Sequence, residues 1–262
     1  MHVTLCDVGP RDGLQNEPDT LAPEVRAELV RRLAATGLPR IEAVSFVNPE
    51  RVPQMAGAEE VVATVGEVDA ELSGLVLNER GWERLAATAI GRVNVTLAAT
   101  ESFNQRNGNA SLEEAAARVE RILAAADRPS TATISVAFGC PFEGNVDPGV
   151  VAALADRLVA AGAGEIVLAD TIGVATPGPV RRLLERSRAS ASRSAATSTT
   201  RATPASPAPG RRSRRAPQSS TRRLAASAAA PSRRARPATS PPRTCSMCST
   251  ARGSRRESTS TR

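Results

Sequence analysis

Six short apolar runs, separated by helix-forming segments, constrain what this chain can fold into more than any other feature. The runs are Val3–Val8, Arg40–Val47, Leu72–Leu77, Arg92–Ala98, Thr133–Phe138 and Glu165–Asp170. Each is rich in Val, Ile or Leu and nearly continuous in apolar character, as parallel strands covered on both faces should be. Helix signals recur between them. Pro23 fits the first turn of a helix reaching about Thr36, where Gly37 stops it. Ser111-Leu112-Glu113-Glu114 has capping-box spacing and opens a helix to about Ala126. Asp147-Pro148 sets an N-cap before a first-turn proline, with the helix running to about Ala161; a further helix covers Pro179 to Arg186.

Six β/α units in about 185 residues is the spacing of a TIM (β/α)8-type barrel, an α/β fold. A doubly wound sheet is the competing architecture. No Gly-x-Gly-x-x-Gly turn follows the first run, so that competitor lacks its dinucleotide fingerprint. Closing a barrel takes two more units, and no further strand is expected after residue 185.

Charge marks the same boundary. The net +7 of the 262 residues joins two unlike parts. Residues 1–185 carry 16 Arg against 26 Asp and Glu, a net of −10; residues 186–262 carry 18 Arg against Glu257 alone, a net of +17. After Leu184 the large apolar residues are Leu224 and Met247, with no Phe, Trp, Ile or Val. Such a segment cannot offset a chain entropy of roughly 1–2 kcal/mol per residue. Residues 1–185 are therefore expected to form an incomplete barrel domain and 186–262 a disordered basic tail. The arginines allow salt-sensitive contact with nucleic acid, but without aromatics for stacking no specific nucleic-acid partner is expected.

Cys6, Cys140, Cys245 and Cys248 make no disulfide framework, and Cys245-x-x-Cys248 lacks the second pair of a zinc site. No signal segment precedes the first run and no apolar run reaches about 18 residues. A cytoplasmic protein with no membrane partner is the expectation.

The chemistry concentrates at the ends of the runs, which in a barrel converge on one mouth. The first run leads into Gly9-Pro10-Arg11-Asp12-Gly13-Leu14-Gln15-Asn16-Glu17. An arginine there can hold a developing oxyanion, and a carboxylate oxygen is a hard ligand for a divalent cation. Glu42 sits inside the second apolar run with Ser45 three residues on. A carboxylate in that setting is seldom buried unless it is paired or metal-bound. Thr100–Asn104 reads as a polar loop, Cys140 as an inert core thiol, and Asp170 as a carboxylate at the mouth.

Together these stretches closely resemble the hydroxymethylglutaryl-CoA lyase family, metal-dependent TIM barrels with an RDG motif after the first strand. The matching segments are VGPRDGLQNE (8–17), IEAVSFVNPERVPQM (41–55), ATESFNQRN (99–107), FGCPFEGN (138–145) and ADTIGVATPG (169–178). The resemblance implies cleavage of 3-hydroxy-3-methylglutaryl-CoA, an acyl-CoA thioester, into acetyl-CoA and acetoacetate. It implies Asp12 as ligand to Mg²⁺ or Mn²⁺, Arg11 at the thioester oxygen, and Glu42 as an active-site acid. Gln15, Ser45 and Asp170 become substrate-binding groups, and a homodimer is the assembly envisaged for an intact chain. Other metal-dependent aldol or Claisen enzymes share only the RDG core.

The resemblance also exposes an omission. The family's other metal ligands are a His-x-His pair at the seventh strand and an Asn near the eighth, and its catalytic acid is a Cys in a Gly-Gly-Cys-Pro-Phe loop. None is present, and the one histidine is His2. Back-translated with GC-rich codons and read one base later, His-Phe-His-Asp-Thr-Arg-Asn-Thr-Gly becomes the text of residues 197–204. The Gly-Gly-Cys-Pro-Phe segment treated alike becomes residues 228–239. A frameshift between about Arg182 and Ala196 is therefore expected, leaving this polypeptide inactive.

Overall fold

The computed structural model describes residues 4–191 and 197–201. Its elements run β1 (Cys6–Asp7), α1 (Pro23–Ala34), β2 (Arg40–Ser45), α2 (Ala58–Val65), β3 (Glu71–Val76), α3 (Glu79–Ala86) and β4 (Arg92–Ala98). They continue with α4 (Glu101–Gly108), α5 (Leu112–Ala125), β5 (Ser130–Ser135), α6 (Pro148–Ala160), β6 (Glu165–Ala169), α7 (Pro177–Ala191) and β7 (Thr197–Arg201). All neighbouring strands pair in parallel, in the unbroken order β1 to β7. A doubly wound sheet reverses its order at a switch point. This sheet does not, which removes the competing architecture.

The sheet also curves. Arg40 Nη1, at the start of β2, donates to Glu165 Oε2, at the start of β6, at 2.6 Å. Three strands lie between them, so a flat sheet would hold them far apart. The curvature matches part of a barrel wall, with Arg40 and Glu165 on its inner face.

Local chemistry sets most boundaries as expected. Ser111 and Glu114 form both bonds of the capping box on α5, Asp147 caps α6, and Gly37 turns the chain after α1 at φ 81°. Four expectations need correction. β1 is two residues rather than six, because it has one neighbour, β2, and Gly9-Pro10 immediately bends the chain into a helical turn. β5 begins three residues early, at Ser130, and ends at Ser135 because Val136 takes φ 51°. The polar stretch after β4 is helix α4, pinned where the Asn104 side chain accepts from Ala98 N–H and donates to Ala98 O, both at 2.9 Å. Finally, a strand does follow residue 185. Thr197–Arg201 pairs with Glu165–Ala169. β-branched threonines suit a pleated surface, and the outer edge of β6 offers unpaired backbone groups. His2, Cys245, Cys248 and the rest of the basic tail lie outside the described residues.

The apolar core lies between the sheet and its helices. Ile41, Val93, Val95, Ile134 and Leu168 from the strands meet Val30, Val61, Leu85, Ile122 and Leu158 from the helices. The inner face is different. Arg40, Glu42, Asn94, Thr131 and Thr133 occupy alternate positions there and are polar. The inner positions of β2, β4 and β5 are thus largely polar, while Leu75 on β3 and Val167 on β6 fall on the same side by register. At the strand starts, Arg40 meets Glu71 at 2.5 Å and Glu165 at 2.6 Å, while Arg92 meets Glu71 at 3.0 Å and Glu165 at 4.0 Å. This alternating ring forms a charged floor, opposite the mouth where the RDG turn sits.

Candidate active site

Val8 follows β1, and its carbonyl accepts from three amides, those of Arg11 (3.2 Å), Asp12 (2.7 Å) and Gly13 (3.4 Å). One acceptor gathering three donors winds Gly9–Gly13 into a single turn of π-helix, a wide turn found often at functional sites. Pro10 sits in the first turn, where its missing N–H costs nothing. The turn separates the two charged side chains. Arg11 is 7% exposed, whereas the Asp12 side chain is 48% exposed.

Arg11 Nε donates to Glu42 Oε1 in a buried ion pair, and Arg11 Nη1 donates to Asp12 Oδ1 at 2.8 Å. Burial by itself pulls the Arg11 pKa down. The charges of Glu42 and Asp12, with the Glu42 hydrogen bond, outweigh it and raise the guanidinium above its ordinary value. Arg11 is therefore a fixed positive charge. Glu42, 4% exposed, meets the condition set for a buried carboxylate, since it is paired. Its second oxygen accepts from Asn94 Nδ2 on β4 at 2.7 Å. With nitrogens donating to both oxygens, Glu42 is placed as an acceptor that tethers Arg11.

Gln15 and Ser45 stand on the same two segments as Arg11 and Glu42. Gln15 Oε1 and Ser45 Oγ are both buried without a hydrogen-bond partner. Arg26 Nε and Ser187 Oγ, outside this group, are likewise buried without a partner, so the two oxygens do not by themselves mark a ligand site. Asp170 is differently engaged. Its Oδ1 accepts from Val174 N–H at 3.0 Å and its Oδ2 from Ala175 N–H at 2.8 Å, which shapes the loop after β6. Thr171 Oγ1 accepts from Val136 N–H at 2.8 Å, joining that loop to the end of β5. Cys140 is buried and its sulfur accepts from Thr100 Oγ1 at 3.2 Å.

The structure brings Arg11, Asp12 and Glu42 into one contiguous group. Sequence reasoning missed Asn94 and Thr133, which continue that group across the inner face. The signal was available. Asn94 and Thr96 on β4, and Thr131, Thr133 and Ser135 on β5, recur every second residue.

A divalent ion on Asp12 is not supported by the donors at hand. Among the described residues no group of three or more His, Cys, Asp or Glu is gathered for a metal, and Asp12 Oδ1 already accepts from Arg11. Mg²⁺ requires near-octahedral oxygen donors. Among the described residues, Asp12 alone does not complete such a centre.

Comparison with known proteins bears on the family and the fold. The HMGL-like family model matches residues 2–200. The (R)-citramalyl-CoA lyase of Chloroflexus aurantiacus is 44% identical over 195 residues, covering 69% of this chain and 62% of that protein. The cytoplasmic 3-hydroxy-3-methylglutaryl-CoA lyase of Mus musculus is 39% identical over 188 residues, covering 70% of this chain and 55% of that protein. The chain thus spans less than two thirds of the length of either relative. The crystal structure of hydroxymethylglutaryl-CoA lyase from Pseudomonas aeruginosa superposes with a TM-score of 0.70 at 40% identity, over 75% of this chain and 67% of that one. In fold, in the sequential sheet and in the match from residue 2 to residue 200, the chain belongs to the HMGL-like family.

Proposed function

We propose that the described residues carry one half of an acyl-CoA lyase site, and that the protein in its intact reading frame cleaves 3-hydroxy-3-methylglutaryl-CoA to acetyl-CoA and acetoacetate. The observation that carries this is the buried Arg11 guanidinium, held by Glu42 at the mouth of the strands. In the reaction the tertiary hydroxyl loses its proton, the adjacent C–C bond breaks, and the electron pair passes into the thioester as an enolate. That enolate is then protonated to acetyl-CoA. A preoriented positive charge at the thioester oxygen stabilises the enolate as it forms. Arg11 supplies that charge and Glu42 orients it. The reading places the protein in the cytoplasm, as the mouse relative's name does for that protein.

The 262-residue polypeptide itself is expected to be inactive. It contains one histidine, His2, so a His-x-His pair is absent from its sequence. Support for a frameshift comes from β7. Thr197–Arg201, the segment that a GC-rich back-translation of His-Phe-His-Asp-Thr gives when read one base later, lies beside β6 where a seventh barrel strand belongs. Sequencing the gene across codons 180–200 tests this, and an uninterrupted frame encoding the present tail in independent isolates would overturn it. The 44% identity to a citramalyl-CoA lyase favours one competing substrate. A frame-restored protein should release acetoacetate from 3-hydroxy-3-methylglutaryl-CoA faster than it cleaves citramalyl-CoA. The reverse order would move the assignment to the second thioester.

A further inference from the structure

The tether on Arg11 does not end at Glu42. Glu42 accepts from Asn94 Nδ2 at 2.7 Å, and Asn94 Oδ1 accepts from Thr133 Oγ1 at 2.8 Å. Glu42, Asn94 and Thr133 stand on β2, β4 and β5, and none is more than 7% exposed. The line therefore crosses the inner face of the sheet from β5 to the RDG turn. A carboxamide has one donating and one accepting end. The Glu42 carboxylate requires the donating end, and the Thr133 hydroxyl satisfies the other, so the amide has one favourable orientation.

We propose that Asn94, oriented by Thr133, is a positioning residue that holds Glu42 and thereby fixes the direction in which Arg11 presents its guanidinium. The link to an oxyanion rests on the lyase reading; the relay itself belongs to the chain without ligand. Asn94 is suited to this task because it is neutral. A second carboxylate at its position would repel Glu42, and a cation would compete with Arg11 for it.

The Arg11 Nε–H group reports on the relay directly. It can be followed by NMR on the full 262-residue chain labelled with ¹⁵N-arginine, its signal assigned by its loss in Arg11→Lys. In the native chain this proton should exchange slowly with solvent. In Asn94→Leu it should shift and exchange faster by roughly tenfold, in line with loss of one hydrogen bond to a charged group. Thr133→Val removes one oxygen at nearly constant volume and should move the same signal in the same direction. Thr133→Ser keeps the hydroxyl and should restore it. An unchanged Arg11 signal in folded Thr133→Val and Asn94→Leu chains would reduce Asn94 to a core residue and overturn the proposal. Adding acetyl-CoA to the native sample separates the two readings. A shifted Arg11 signal supports both, whereas no shift beside altered signals in the variants counts against the lyase reading and leaves the relay standing.

Discussion

Arg11 and Glu42 are both almost fully buried, and each makes the other tolerable. Replacing Glu42 leaves the buried Arg11 with the half-exposed Asp12 as its remaining counter-charge, so Glu42→Leu should destabilise the fold by about 1–3 kcal/mol in chemical denaturation. The double variant Arg11→Met/Glu42→Leu should lose less than Glu42→Leu alone. A larger loss in the double variant would contradict the tether. By contrast, Ser111→Ala removes a half-exposed cap from α5 and should cost about 1 kcal/mol. That Glu42 needs a partner was legible because a carboxylate inside an apolar run demands explanation. Asn94 stood in a legible polar alternation, but its pairing with Glu42 was not legible, since the two are 52 residues apart in sequence and only the curved sheet brings them together.

Between elements, charged pairs join one helix to the next around the outside. Arg84 on α3 reaches Glu59 on α2 at 2.6 Å, Arg121 on α5 reaches Glu79 on α3 at 2.8 Å, and Arg157 on α6 reaches Glu113 on α5 at 2.6 Å. These pairs are exposed, so Arg121→Ala should change stability by less than about 1 kcal/mol. The floor ring is more enclosed, and Arg40→Met, which leaves Glu165 inside without its closest cation, should cost more than Arg121→Ala in the same denaturation experiment. Several carboxylates titrate below their ordinary range. Hydrogen bonds from Arg84 lower Glu59, those from Arg157 lower Glu113, and a backbone N–H followed by Arg121 lowers Glu79. A depressed folded pKa contributes stability above the unfolded value and loses it as pH falls through the folded one. The melting temperature should therefore hold near neutrality and drop below about pH 4, under the ordinary Glu value. A melting temperature that rises on acidification would contradict these pairings. Long periodic helices such as α5 and α6 announced themselves through their caps. The ends of β1 and β5 did not, because they are set by the RDG turn and by the left-handed Val136 rather than by apolar pattern.

For the molecule as a whole, repetition made the fold readable. Each strand–helix unit repeats one connection, so strand order follows chain order and the curved parallel sheet results. What apolar pattern could not convey was the polar inner face, where Arg40, Glu42 and Asn94 satisfy one another across strands rather than along them. The same face explains the central claim. Residues 4–191 set a positive charge at the mouth of the sheet but gather no metal-binding cluster there among the described residues. On the proposed reading these residues alone should not complete the reaction. The decisive measurement is acetoacetate release from 3-hydroxy-3-methylglutaryl-CoA with Mg²⁺ or Mn²⁺ present, run side by side on the 262-residue chain and on the frame-restored protein. The account predicts turnover by the restored protein alone, abolished by Arg11→Met. Turnover by the 262-residue chain, or none by the restored one, would contradict it.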